Sequence, residues 1–260
     1  MTLWGLTLHP DALDPTLLGP ALAAGLLVLL THVPLGAQVL RKGIVFIDLA
    51  IAQIAGLGVM LVTLLGGQPG GWPVQAAAGA AALLGALALT WTERRWPEVQ
   101  EALIGCLFVV ASCAGLLLVA GHPHGGEHLQ DLLVGQILWV TPEQLGVTAA
   151  LSVAVLALWF WAGRQGGVAF YVAFALAVTA SVQLVGVYLV FASLIMPALA
   201  VRALTVRRPG LWAYALGAGS FAAGLGLSAL LDLPSGPAVV LVMAVVSVGV
   251  AALSRRHPPT

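Results

Sequence analysis

The sequence predicts an all-α, polytopic membrane protein of about nine transmembrane helices, folded as one transmembrane domain over residues 1–260. Three observations carry that expectation. Hydrophobic residues make up 60% of the chain and charged residues only 8%, against roughly 25% charged in a soluble domain. So few charges cannot cover a water-facing surface, and the mean hydropathy of +1.04 agrees. Apolar stretches long enough to cross a hydrocarbon core of roughly 30 Å recur along the chain. And all ten basic residues fall on one side of a nine-span count. The net charge of zero gives no sign of nucleic-acid binding. The 31 glycines suit close helix packing in lipid.

The first span is Thr16–Leu40, which exits through Arg41 and Lys42. The N-terminal stretch before it has no basic segment, so no cleaved signal peptide is expected. Ile44–Leu65 returns, and the glycine- and proline-rich stretch 66–73 turns the chain. Val74–Trp91 is the third span, ending at Glu93-Arg94-Arg95, and Ala102–Ala120 is the fourth. After a polar loop, Leu132–Val140 is too short to cross and reads as a re-entrant or interfacial piece. Leu145–Ala162, Val168–Gln183, Leu184–Leu204, Leu211–Leu231 and Ala238–Leu253 complete the nine. With that count Arg41, Lys42, Arg94, Arg95, Arg164, Arg202, Arg207, Arg208, Arg255 and Arg256 share one side. The positive-inside rule makes that side cytoplasmic, with the N-terminus outside and the C-terminus inside. The boundary between spans six and seven carries no loop signal.

Asp48 is the most informative residue. It lies in the 23-residue apolar stretch Gly43–Leu65, whose other strongly polar side chains are Gln53 and Thr63 near the end. An acid in such a span is costly unless it faces a cavity, a partner or an ion. Asp48 is therefore either a group on a transport path or a structural acid at a helix contact. His32, in the first span, is expected at similar depth, because spans one and two read as antiparallel neighbours. Its neutral imidazole could share an ion with Asp48 or bond a backbone carbonyl near Pro34. Gln53 lies five residues past Asp48, roughly 140° around the helix, and so faces elsewhere.

The outer loop holds five metal-ligand side chains in ten residues: His122, His124, Glu127, His128 and Asp131. Imidazole with carboxylate suits zinc, manganese and iron. The spacing matches no closed structural zinc site. The loop reads either as solvated polar chain or as a weak collecting site for a divalent cation. Cys106 and Cys113 sit about 10 Å apart along one helix, too far for a disulfide. They read as small packing residues ahead of soft metal ligands. No HExxH, G-x-S-x-G or Walker A motif is present, and the one lysine, Lys42, precedes Gly43. The chain reads as no enzyme, and energy from ATP would have to come from another chain.

Four stretches, in order, resemble the membrane subunits of bacterial metal-ion ABC transporters of the zinc, manganese and iron uptake type. They are Arg41–Gly58, His128–Gln144, Val182–Leu204 and Asp232–Val242. The resemblance implies an architecture similar to the permeases that import cobalamin and siderophores. It implies a homodimer in the bacterial cytoplasmic membrane, two cytosolic ATPase partners and an external metal-binding protein. No permanent cofactor is implied, only the transported ion. Asp48 matches the family's acid on the second span. Many members carry a histidine four residues later, where this chain has Ala52 and then Gln53; His32 is the candidate replacement. Many members also have a longer connection where this chain has Gly163–Gly167. The Arg202–Gly210 loop, with Arg202, Arg207, Arg208 and Pro209, matches the region that meets the ATPase and could form a short helix there. The competing reading is an ion-coupled secondary carrier, with Asp48 as proton or cation relay and no ATPase. Such carriers often show inverted repeats, and none is visible.

Overall fold

The structure, a computed structural model, describes residues 13–65, 71–119, 135–202, 204 and 206–254. His122, His124, Glu127, His128 and Asp131, together with Arg255 and Arg256, lie outside the described residues. Among the described residues there is no strand, and the helices are α1 Pro15–Lys42, α2 Ile47–Leu64, α3 Trp72–Arg95, α4 Gln100–Val119, α5 Pro142–Trp161, α6 Gly167–Arg202, α7 Pro209–Leu231 and α8 Ser235–Ser254. Seven of them are long and apolar enough to cross a membrane, and α2 contributes a shorter apolar run, Ile47–Thr63.

Local chemistry explains the boundaries. Asp14 caps α1, accepting from the Thr16 amide and the Thr16 hydroxyl, both at 2.8 Å. Those bonds favour its charged form and hold its carboxyl below the usual value of 3.8. Proline at the first turn needs no donor there, so Pro15, Pro142 and Pro209 open α1, α5 and α7. Thr141 and Gln144 form a reciprocal capping box on α5. Arg41–Lys42 and Arg94–Arg95 close α1 and α3, where cations complement the helix dipole.

Among the described residues there are eight α-helices where nine spans were expected. Expected spans six and seven are one 36-residue element, α6, interrupted only at Gly186. Gly186 has φ 79° and ψ 163°, a conformation that only glycine holds without strain. One residue thus does the work of a loop, which is why no polar loop marks the boundary. Gly135 packs directly on this break: a Cβ there would overlap the Val185–Gly186 peptide. Beyond Gly135, the stretch read as re-entrant or interfacial forms only a 3-10 turn, Ile137–Trp139, with Ile137 buried. A straight helix of this length would span about 54 Å. Instead both ends of α6 lie at the same end of the bundle. Gly166 and the Phe170 and Tyr171 rings sit beside Lys42, while Arg202 and Pro209 share a cleft with Arg41. The chain therefore reverses at Gly186.

α6 is the centre of the fold. Phe170, Tyr171, Phe174 and Leu189 on it are almost wholly buried, and it packs on every helix except α4. α2, α3 and α4 group on one flank; α1, α5, α7 and α8 occupy the other. Small residues permit the closest approaches: a Cβ on Gly36 of α1 would overlap the Leu194 carbonyl oxygen of α6.

Two polar clusters tie helices together where the basic residues gather. Lys42 pairs with Glu93 and lies 5.4 Å from the Phe170 ring centroid. Gln38, buried on α1, donates to the Gly163 carbonyl at 2.9 Å and accepts from the Trp159 indole at 2.8 Å. Arg164 covers the Trp159 ring. The described basic residues Arg41, Lys42, Arg94, Arg95, Arg164, Arg202, Arg207 and Arg208 thus collect at one end, as the sequence predicted.

Candidate functional site

α2 starts at Ile47, so Asp48 occupies its first turn. No side chain of α2's own first turn caps it; the Phe46 amide instead donates to Glu101 Oε1 at 3.3 Å, from the start of α4. Asp48 is 1% exposed, and neither of its carboxylate oxygens has a hydrogen-bond partner. The amides of Asp48 itself and Leu49 interact with the carboxylate at the helix start, short of full hydrogen-bond geometry. Glu101 Oε2 is also buried and without a partner. The two carboxylates are close enough to act on each other electrostatically. The only ion pair among the described residues is Lys42–Glu93, so no cationic side chain balances Asp48 or Glu101. Beside them runs an open apolar groove of about 640 Å³, lined by Phe46, Leu49, Ala102, Gly105, Cys106 and Phe108 among others.

His32 is fully buried in α1. Its Nδ1 lies 2.9 Å from the Val28 carbonyl, which can only accept, so Nδ1 carries the proton. Nε2 is then a bare acceptor inside the protein, with no partner. No hydrogen bond joins His32 to Asp48: His32 Nε2 and both Asp48 oxygens are without a partner among the described residues. α6 touches both α1 and α2, whereas those two share almost no contact. The expectation that spans one and two pack as an antiparallel pair is therefore corrected: the break after Lys42 lets α6 come between them. Gln53 is half-buried on α2. No group of three or more His, Cys, Asp or Glu forms a ready metal cluster among the described residues. Cys106 and Cys113 are both free and exposed.

Arg202 ends α6, and Arg207, Arg208 and Pro209 are exposed at the start of α7. The short helix expected in this connection is absent among its described residues; α7 begins directly at Pro209. Arg41 and Arg202 line a cleft of about 430 Å³ between α1, α6 and α7, whose other walls include Val33, Ala37, Leu40 and Ala198.

Glu101 is the site residue that sequence reasoning missed. It stands one position before the expected fourth span and so read as part of a polar boundary. The available signal was an acid abutting an apolar run next to a Pro-Glu-Val turn that folds back beneath α3.

Comparison with known proteins places this geometry. The ABC 3 transport family matches residues 15–165 and 167–254. The chain is 26% identical to the manganese transport system membrane protein MntC of Halalkalibacterium halodurans, over 85% of this chain and 82% of that protein. It is 28% identical to an uncharacterised membrane protein of Synechocystis, over 90% of each. A probable metal transport system membrane protein of Chlamydia trachomatis is 26% identical over 58% of this chain and 50% of its own length. The solved structure of PsaBC from Streptococcus pneumoniae in complex with Fab superposes with a TM-score of 0.70 over 89% of this chain and 90% of that chain, at 22% identity. That likeness shows the same membrane permease fold. With the family match running through all eight described helices, the chain belongs to the ABC 3 transport family.

Proposed function

We propose that this chain is the membrane-spanning permease of an ATP-driven importer of divalent transition-metal ions. The observation that carries the reading is Asp48: a buried carboxylate with no protein partner, in a transport fold. A carboxylate so placed costs at least about 2.5 kcal/mol on insertion scales. A passing cation offsets that cost; a purely structural role would call for a hydrogen-bond partner, and none is present. The relatives named for manganese and metal transport support the same substrate class. Zinc, manganese and iron all fall within it. His32 and Gln53 are further candidates along the path, and His122, His124, Glu127, His128 and Asp131 a candidate collecting loop at its outer mouth.

The chain works as a homodimer in the bacterial cytoplasmic membrane, with cytosolic ATPases and an external metal-binding protein. The gathering of basic residues at one end supports a cytoplasmic assignment for that end, with the N-terminus outside and the C-terminus inside. Arg202, Arg207, Arg208 and Pro209, exposed at the same end, are the ATPase-docking surface. Reversing Arg207 and Arg208 to Glu should reduce ATPase co-purification, and a complex of unchanged stoichiometry and coupled activity would remove that assignment.

The central test is uptake of radioactive manganese and zinc by cells carrying Asp48→Asn, with membrane expression measured in parallel. Asn keeps the size and removes the charge. Losing roughly 2.5 kcal/mol of cation stabilisation should slow uptake by nearly two orders of magnitude. Wild-type uptake by this variant would make Asp48 a structural acid and end the reading.

A further inference from the structure

We infer that Glu101 completes the Asp48 site, so that the transported ion is held by two carboxylates from α2 and α4, an oxygen-only donor set suited to manganese. The inference rests on the permease reading above and goes beyond it by naming a second ligand and the class of cation.

Three observations converge on the pair. Asp48 Oδ1, Asp48 Oδ2 and Glu101 Oε2 are all buried and unpartnered, which leaves three carboxylate oxygens with nothing to accept from. Buried polar atoms are nearly always satisfied, and a cluster of exceptions points to an absent ion. Second, the Phe46 amide holds Glu101 Oε1 at 3.3 Å, which fixes Glu101 at the α2 start, two residues from Asp48. Glu101 thereby has one oxygen for the backbone and one left over. Third, two carboxylates carry the charge that one divalent cation cancels, while Lys42, the cation just before α2 in sequence, is already paired with Glu93. In a low-dielectric site such cancellation decides whether both acids can ionise together.

The donor set also speaks to identity. Carboxylate and water oxygens suit manganese, calcium and magnesium, whereas imidazole and thiolate favour zinc and copper. His32 lies on α1, which barely touches α2, and the proposed set leaves its nitrogen out.

The test is manganese binding to the purified permease–ATPase complex, read by the loss of the free-ion EPR spectrum, for the wild type, Asp48→Asn, Glu101→Gln and His32→Ala. Glu101→Gln keeps the acceptor for the Phe46 amide and removes only the charge, so it separates ligand from cap. A direct ligand should cost at least the roughly tenfold in affinity that outer partners cost. We expect that loss for Asp48→Asn and Glu101→Gln and none for His32→Ala. Wild-type affinity in Glu101→Gln would reduce Glu101 to a cap for α2. A loss in His32→Ala equal to that in Glu101→Gln would put nitrogen in the site and overturn the oxygen-only set. If E101Q does not assemble, E101D keeps the charge and shortens the reach by one methylene; unchanged binding there overturns the inference equally. Uptake separates the two levels. Loss in Asp48→Asn with full uptake and binding in Glu101→Gln leaves the permease standing and removes this site, whereas full uptake in both removes both.

Discussion

Two aspartates stand at the starts of helices in this chain, and they are treated in opposite ways. Asp14 caps α1 from outside the bundle, exposed, with two hydrogen bonds from Thr16. Asp48 sits in the first turn of α2, buried, with none. Both benefit from the positive end of a helix dipole. Only Asp14 finds its partners within its own sequence. The fold uses Asp14 and is complete without any ligand at that point. At Asp48 the fold leaves an unsettled charge, and α4 brings a second acid beside it. A chain that needed only stability would replace such a pair with apolar side chains at little cost or with gain. The contrast separates a carboxylate whose hydrogen bonds serve the fold from one that, on the proposed function, serves an ion.

The largest expected effect breaks the comparison at Asp48. Asp48→Asn should cut uptake strongly, as argued above, yet leave the unfolding temperature of the purified protein unchanged or raised. Asn keeps the size and polarity of the buried acid and severs no well-formed hydrogen bond. A variant that both unfolds early and fails to transport would mean that the carboxylate has a structural partner after all.

Gln38 supplies the opposite extreme, a buried polar group with every bond made. Gln38→Leu strands the Trp159 indole N–H, at about 1–3 kcal/mol for a buried orphan, and takes one of two donors from the Gly163 carbonyl, which keeps the Gly166 amide. We expect a clear loss of stability in denaturant titration, with uptake per folded complex preserved. If uptake per folded complex falls with stability unchanged, the Gln38 cluster belongs to the transport path and the contrast between satisfied and unsatisfied groups loses its meaning.

Much of this was legible in the sequence, for reasons that differ by element. Membrane class and the one-sided basic residues followed from composition and spacing, because lipid leaves the backbone few alternatives. Asp48 stood out because an acid in an apolar run has no neutral explanation in lipid. What stayed hidden depends on tertiary placement. The boundary expected at Gln183–Leu184 falls just short of the break, and nothing in the run Val182–Leu189 singles out Gly186, since the break costs one glycine and no polar residue. The insertion of α6 between α1 and α2 is a packing outcome with no local signal. Glu101 belongs to the same class: its meaning comes from the Phe46 amide, 55 residues away in sequence.

The smallest effect lies at Asp14, and it sharpens the comparison from the folded side. The hydrogen bonds from Thr16 hold the Asp14 carboxyl below its ordinary 3.8. A group whose folded value is depressed stabilises above the unfolded value and loses that contribution as pH falls through the folded one. The α1 cap should therefore be intact at neutral pH and loosen only in acid, below about 3.8. Because Asp14 is fully exposed, the effect is local, a fraying of the first turn and not an unfolding of the bundle. A spin label on a cysteine placed at Leu13, which is itself exposed, would report it as a gain in mobility over that pH range. Asparagine is an equally good cap and does not titrate, so Asp14→Asn should hold the label steady throughout. If the label loosens in acid with Asn at this position too, the titrating group is another one. In that case Asp14 is not the satisfied counterpart against which Asp48 was weighed.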